Sequence, residues 1–261
     1  MTLLKNIVQS RTNECPSMIH LHKTGKTFGS TVALQPTDLE IPTHKTTVLL
    51  GPSGSGKSTI LRIISGLIEP TTGWIEISGK KLTRDTLLEF RRRMGYVIQS
   101  GDLFPHLSAR QNIVLVAKEL GLPPDDLTGR LEELCNLTKV PRALLDHYPV
   151  ELSGGEQRRV SLMRALMLKP DILLLDEPMG ALDPMVRAGL IRDLRSLFER
   201  LNTTVILVTH DLVEAARLGD LVVLLKAGRI VQQGSFAEFS LCPADPFVSE
   251  FFDAQMEGVL S

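Results

Sequence analysis

The stretch Gly51-Pro52-Ser53-Gly54-Ser55-Gly56-Lys57-Ser58 satisfies the spacing G-x-x-x-x-G-K-[ST]. Glycines there let the backbone turn tightly and present its N–H groups to phosphate oxygens. The loop runs on to Thr59, and the helix expected after it adds a positive N-terminal end. Lys57 would reach β- and γ-phosphates, and the Ser58 hydroxyl would ligate Mg2+. A second set is Asp176-Glu177-Pro178, at the end of the apolar run 172–175. A buried strand that ejects two carboxylates is costly unless a cation meets them. In parallel sheets the carboxyl edge of the strands is where ligands bind. Asp176 would hold Mg2+ directly or through water, and Glu177 would orient or deprotonate an attacking water. A third set is Leu152-Ser153-Gly154-Gly155-Glu156-Gln157. Ser153 can cap a helix, with Glu156 three residues on to complete a capping box. Gly154 and Gly155 leave backbone N–H groups free to face an anion.

These residues need a sheet with helices on its faces to bring them together. A short apolar strand over 46–50 leads into the glycine-rich loop, and residues 60–65 form a helix that stops at Gly66. Thr71-Thr72-Gly73 reads as a turn before an alternating strand over 74–77. Residues 83–93 are predicted helical, and 96–98 a strand. From about 100 to 168 the apolar residues recur at helical spacing, with Ile113, Val116, Ala117 and Leu120, then Leu127, Leu131 and Leu134. That segment reads as a helical lobe inserted into an α/β core. Strands at 172–175, 205–208 and 221–225 then alternate with helices at 185–201 and 212–218, the pattern of a mostly parallel sheet. Residues 1–17 read as a flexible arm and 18–21 as the first strand. Phe247, Val248, Phe251 and Phe252 share one helical face in the C-terminal tail, 241–261.

The chain has 261 residues, 29 Lys and Arg against 30 Asp and Glu, and a net charge of −1. That balance argues against nucleic acid as a partner. No apolar run approaches the roughly 20 residues of a spanning helix, and the N-terminus lacks the pattern of a secretion signal. Cys15, Cys135 and Cys242 lie too far apart in sequence for a disulfide framework or a metal motif.

The Ser153–Gln157 stretch resembles the signature of ATP-binding-cassette (ABC) transporter ATPases, and the other motifs follow in that family's order over about residues 18–240. The resemblance implies an α/β P-loop NTPase with a RecA-like, mostly parallel core, an antiparallel β part and an inserted helical subdomain. It implies ATP and Mg2+ as ligands. Gln99 looks like the glutamine that senses Mg2+ and the membrane subunit, and Asp183, after Ala181-Leu182, like the loop that communicates across a dimer. His210 looks like the histidine that contacts the γ-phosphate, and Phe28 like the aromatic that stacks on adenine. Where the family more often has Gln, this chain has Glu156, which is expected to turn back to its cap and away from phosphate.

The implied partners are a second copy in a head-to-tail dimer, permease subunits docked through the Gln99–Asn112 region, and indirectly a substrate-binding protein. The implied location is peripheral, on the cytoplasmic face of the cell membrane. The wording of residues 94–113, 166–182 and 243–252 is similar to that of ATPases of osmoprotectant importers, which carry glycine betaine, choline, carnitine or related quaternary amines. Relatives in that group often add a regulatory domain, and none is expected here, where the sequence ends at Ser261. The same motifs would serve another importer, for amino acids or other small solutes, or an exporter. A soluble cassette outside transport is the more distant alternative, because such proteins usually carry tandem cassettes, a coiled-coil insertion or strong basic patches.

Overall fold

The computed structural model describes residues 17–99, 103–180 and 183–260. Strands β1 (Ser17–Phe28) and β2 (Thr31–Pro42) form a long antiparallel hairpin, extended by β4 (Thr72–Ile77) and β5 (Lys80–Lys81) into a four-stranded sheet ordered β2-β1-β4-β5. The hairpin is longer than the sequence suggests. Its register slips several times, so the alternation that marks a strand is broken at each bulge. Ser17 already stands in β1, so the expected arm of 1–17 overlaps this strand by one residue, and its remainder lies outside the described residues.

The second sheet holds β3 (Thr46–Leu50), β6 (Met94–Val97), β7 (Ile172–Asp176), β8 (Thr204–Thr209), β9 (Leu221–Lys226) and β10 (Arg229–Gly234), in the order β10-β9-β3-β8-β7-β6. Every neighbouring pair is parallel except β9 and β10. Strands β3, β7 and β8 are buried at every position. A strand covered on both faces reads as a continuous apolar run.

Alternate residues of these strands feed two cores. Val48, Leu50, Leu173, Leu175 and Leu207 face one. Leu49, Ile172, Leu174, Ile206 and Val208 face the other. Helix α1 (Lys57–Ile64) packs Ile60, Leu61, Ile63 and Ile64 into the second core, between the two sheets. Helix α2 (Leu87–Arg92) is shorter than predicted, with Phe90 as its buried anchor.

Between β6 and β7 lie α3 (Ala109–Glu119), α4 (Pro124–Thr138) and α5 (Gly154–Leu166). Asn112 is fully buried. Its side-chain oxygen accepts from the Phe104 N–H, and its amide donates to the carbonyls of Phe104, Leu107 and Ser108. One side chain therefore pins the bend that leads into α3.

Helix α6 (Pro184–Arg200) follows β7, and α7 (Leu212–Leu218) follows β8. Asp193 on α6 accepts from Lys139 and from Arg159, each at 2.6 Å, which fastens α4 and α5 to α6. Burial works against the Asp193 carboxylate, but these bonds and charges hold it below the usual range. Helices α8 (Phe236–Leu241) and α9 (Pro246–Leu260) close the chain. Phe252 stacks on Phe239 at 5.8 Å, and Val248 is fully buried. Among the described residues no helix is long and apolar enough to cross a membrane.

Candidate active site

The glycine-rich loop leaves the carboxyl end of β3, a strand with β8 on one side and β9 on the other. Gly51 has a φ of 144°, and a Cβ there would collide with the Leu225 carbonyl oxygen. Pro52, Ser53 and Gly54 are exposed, while Ser55, Gly56 and Lys57 are buried. Ser58 and Thr59 lie half-buried in the first turn of α1. The Lys57 ammonium donates to the carbonyls of Gly51 at 2.7 Å and Pro52 at 2.8 Å, inside its own loop. Burial lowers its pKa, opposed by the charges of Glu177 and Asp176.

Strand β7 delivers the acidic pair. Asp176 is its last residue, buried, and accepts from the Ser58 hydroxyl at 2.9 Å. Burial raises the Asp176 carboxyl above the usual range; the Ser58 bond lowers it and the Glu177 charge raises it further. The neighbouring Tyr96 phenol is pushed up to about 12 by burial and by the Asp176 charge. A hydroxyl and a buried carboxylate are hard oxygen donors, the set that suits a small divalent cation.

This burial gives a prediction of opposite sign with and without metal. Asp176→Asn keeps the acceptor for Ser58 and removes a desolvated charge. In EDTA it should raise Tm, because burial disfavours the ionised carboxylate that the substitution removes. With Mg2+ and ATP the wild type should overtake it. A thermal scan in which the variant melts lower than wild type in EDTA would contradict the account.

Glu177 adopts a φ of 46°, a left-handed conformation that costs a non-glycine residue roughly 1–2 kcal/mol. Its N–H donates to the Val208 carbonyl and its own carbonyl accepts from Gly180. The turn aims the carboxylate sideways along the sheet edge. Glu177 Oε2 accepts from Gln99 Nε2 at 3.1 Å and lies 3.5 Å from His210 Nδ1. Gln99 arrives just after β6, and His210 just after β8. Three adjacent strands thus place an amide, a carboxylate and an imidazole at one point.

Other predicted residues stand apart from this point. Ser153 and Glu156 form a reciprocal capping box on α5. Glu156 Oε2 accepts from the Ser153 N–H at 2.8 Å and its hydroxyl at 2.6 Å, bonds that hold its carboxyl below the usual range. Gly154 is exposed. A Cβ on Gly155 would come within 3.0 Å of Val186, so its bareness lets α5 approach α6. Asp183 is exposed and caps α6 by accepting from the Met185 N–H; Ala181 and Leu182 lie outside the described residues. Phe28 is 49% exposed at the end of β1, with the Lys26 ammonium 5.1 Å from its ring centre. No hydrogen bond among the described residues joins these groups to the Lys57–Asp176–Glu177 cluster.

Motif reading missed the residues that hold the turn at His210. Arg187 reaches Glu214 and, at 2.9 Å, Asp211. Gln255 from α9 also contacts this turn. Their partners are distant in sequence, so no local pattern announces them.

The sequence model of the ABC transporter family matches residues 34–180, over half of the chain and inclusive of loop, signature and acidic pair. The chain belongs to the ABC transporter ATP-binding family.

Within it, the chain is 43% identical over 235 residues to a glycine betaine/carnitine/choline transport ATP-binding protein of Bacillus subtilis, covering 90% of this chain and 62% of that protein. It is 41% identical over 242 residues to a glycine betaine uptake system ATP-binding protein of Escherichia coli, covering 93% and 79%. A sulfate/thiosulfate import ATP-binding protein of Thermosynechococcus vestitus is 43% identical over 233 residues, covering 89% and 68%. The chain therefore spans less than two thirds of the Bacillus relative's length. Among solved structures, a dimeric ATP-binding cassette in a post-hydrolysis state with ADP and Pi superimposes with a TM-score of 0.75 at 34% identity, covering 84% of this chain and 99% of the other. The structural match shows the ABC cassette fold, with its parallel core, antiparallel sheet and inserted helices.

Proposed function

We propose that this chain is the ATP-hydrolysing subunit of a membrane importer of quaternary amines such as glycine betaine or choline. The observation that carries the catalytic part is the convergence of Gln99, Glu177 and His210 on one edge, beside the Ser58–Asp176 pair. The cargo part rests on the relatives.

The loop from Gly51 to Gly56 cradles phosphates through its backbone N–H groups, and Lys57 leaves its loop carbonyls to meet the β- and γ-phosphates. Phe28 offers its ring to adenine. Ser58, Asp176 and Gln99 would hold Mg2+, which would neutralise charge on the phosphates when bound. Glu177 Oε2 accepts a proton from the attacking water, while Gln99 and His210 hold that water and the γ-phosphate in line.

The exposed Ser153, Gly154 and Asp183, flanked by the exposed apolar Val150 and Met185, form a face for a second copy. There a helix N-terminus would complete the partner's nucleotide site. A groove of about 640 Å³ opens beside β6, lined by Leu88, Met94, Tyr96, Ile98, Phe104 and Val116. Arg91, Arg92 and Arg164 line it too, so it suits a permease helix with an apolar face and acidic groups beside it, on the cytoplasmic face of the membrane. The sulfate importer relative, at the same identity as the Bacillus protein, keeps a different small-solute cargo as the second reading.

Uptake of labelled glycine betaine and choline at high osmolarity separates the two. Cells whose other importers are deleted should take up label with the wild-type chain and not with Glu177→Gln. Equal uptake with both would remove the quaternary-amine reading, and labelled sulfate would then be tried.

A further inference from the structure

The side chain of His210 is 56% exposed, so packing around the ring does not fix its direction. Its backbone does. The turn between β8 and α7 is held from three directions. Thr209 Oγ1 accepts from the Asp211 N–H at 3.1 Å. Arg187 reaches in from α6 to Asp211 and Glu214. The third hold comes from α9, where Gln255 Nε2 donates to the His210 carbonyl at 2.6 Å and Gln255 Oε1 accepts from the Leu212 N–H at 3.1 Å.

Leu212 is the first residue of α7, and the first N–H groups of a helix have no partner inside it. One amide thus closes a free carbonyl and a free N–H on the two sides of Asp211. Both bonds span more than forty residues of sequence. Their support is itself fixed, because α9 is docked by buried Val248 and by Phe252 against Phe236 and Phe239.

We infer that Gln255 is a positioning residue for His210. Through the peptide groups of 210–212 it sets the direction from which the imidazole meets Glu177 and the γ-phosphate. The inference rests on the catalytic role proposed above for His210. A shift of the ring by a fraction of an ångström acts on turnover, because in-line geometry is demanding. It leaves nucleotide capture alone, because Lys57 and the phosphate loop are not touched.

The test is ATP hydrolysis by the full chain, in steady state and single turnover, with Tm measured alongside. Gln255→Ala should lower kcat about tenfold, leave KM for ATP within about twofold, and leave Tm within a few degrees. Gln255→Glu keeps the acceptor for Leu212 but sets a carboxylate against the His210 carbonyl, and kcat should fall about threefold or more. On a His210→Ala background, Gln255→Ala should add no further loss to the single-turnover rate. A kcat within twofold of wild type for Gln255→Ala would overturn the inference. So would a rise in KM that accounts for the loss, or a full additional loss on the His210→Ala background. If His210→Ala turns over normally, the catalytic reading itself falls. If His210→Ala is impaired and Gln255→Ala is not, only the role of Gln255 falls.

Discussion

Glu177→Gln should lower ATP turnover by about 10²–10⁴-fold while ATP binding persists, and the ATP-bound protein should accumulate as a dimer. The range is that of a lost general base. The substitution is nearly isosteric, and the amide oxygen can still accept from Gln99, so the geometry at the sheet edge survives. An amide cannot take a proton from water. Removing the carboxylate also removes a negative charge near Lys57, which favours an incoming polyphosphate. Phosphate release and size-exclusion chromatography with ATP check both halves. Turnover within tenfold of wild type would contradict the assignment of Glu177 as the base.

Lys57→Met should weaken ATP binding by about 30-fold or more and leave the fold intact. Truncating one partner of a desolvated charge pair costs about 2–5 kcal/mol, and 2 kcal/mol is a factor of about 30. The ammonium is already inside the loop, bonded to the Gly51 and Pro52 carbonyls. ATP exchanges those neutral acceptors for anionic oxygens, which a thioether cannot meet. The free variant loses hydrogen bonds from a charged donor, so a modest fall in Tm accompanies the effect. Equilibrium titration with a fluorescent ATP analogue measures it, and unchanged affinity would contradict the proposed contact.

The two predictions differ in how their residues are read from sequence. Lys57 sits in a contiguous motif whose spacing alone places it. The roles of Asp176 and Ser153 are similarly local, since a strand end and a capping box are properties of a few neighbouring residues. Gln99 and His210 carry no local signal of chemistry. Only the motif order, and the resemblance that order carries, pointed to them. Their meeting with Glu177 depends on β6, β7 and β8 lying side by side, a fact of topology. Residues such as Arg187 and Gln255 are illegible for the same reason. Each is a common polar residue whose partners are chosen by the packing of helices. Only residues 18–21 of the β1–β2 hairpin read as a strand, because its bulges shift which side chain faces the core.

Asn112 bears on how force would pass through the molecule. Its four bonds leave the bend at residues 104–108 little room to yield, and Phe104 of that bend lines the groove beside β6. Arg164 and Ala165 of α5 line the same groove, while the other end of α5 carries the Ser153 cap. A helix of 13 residues is a rod roughly 20 Å long. With Phe104 held and the rod unbroken, a push at the groove would have low compliance to spend itself in. It would arrive at the signature as displacement, much as a valve stem moves its seat.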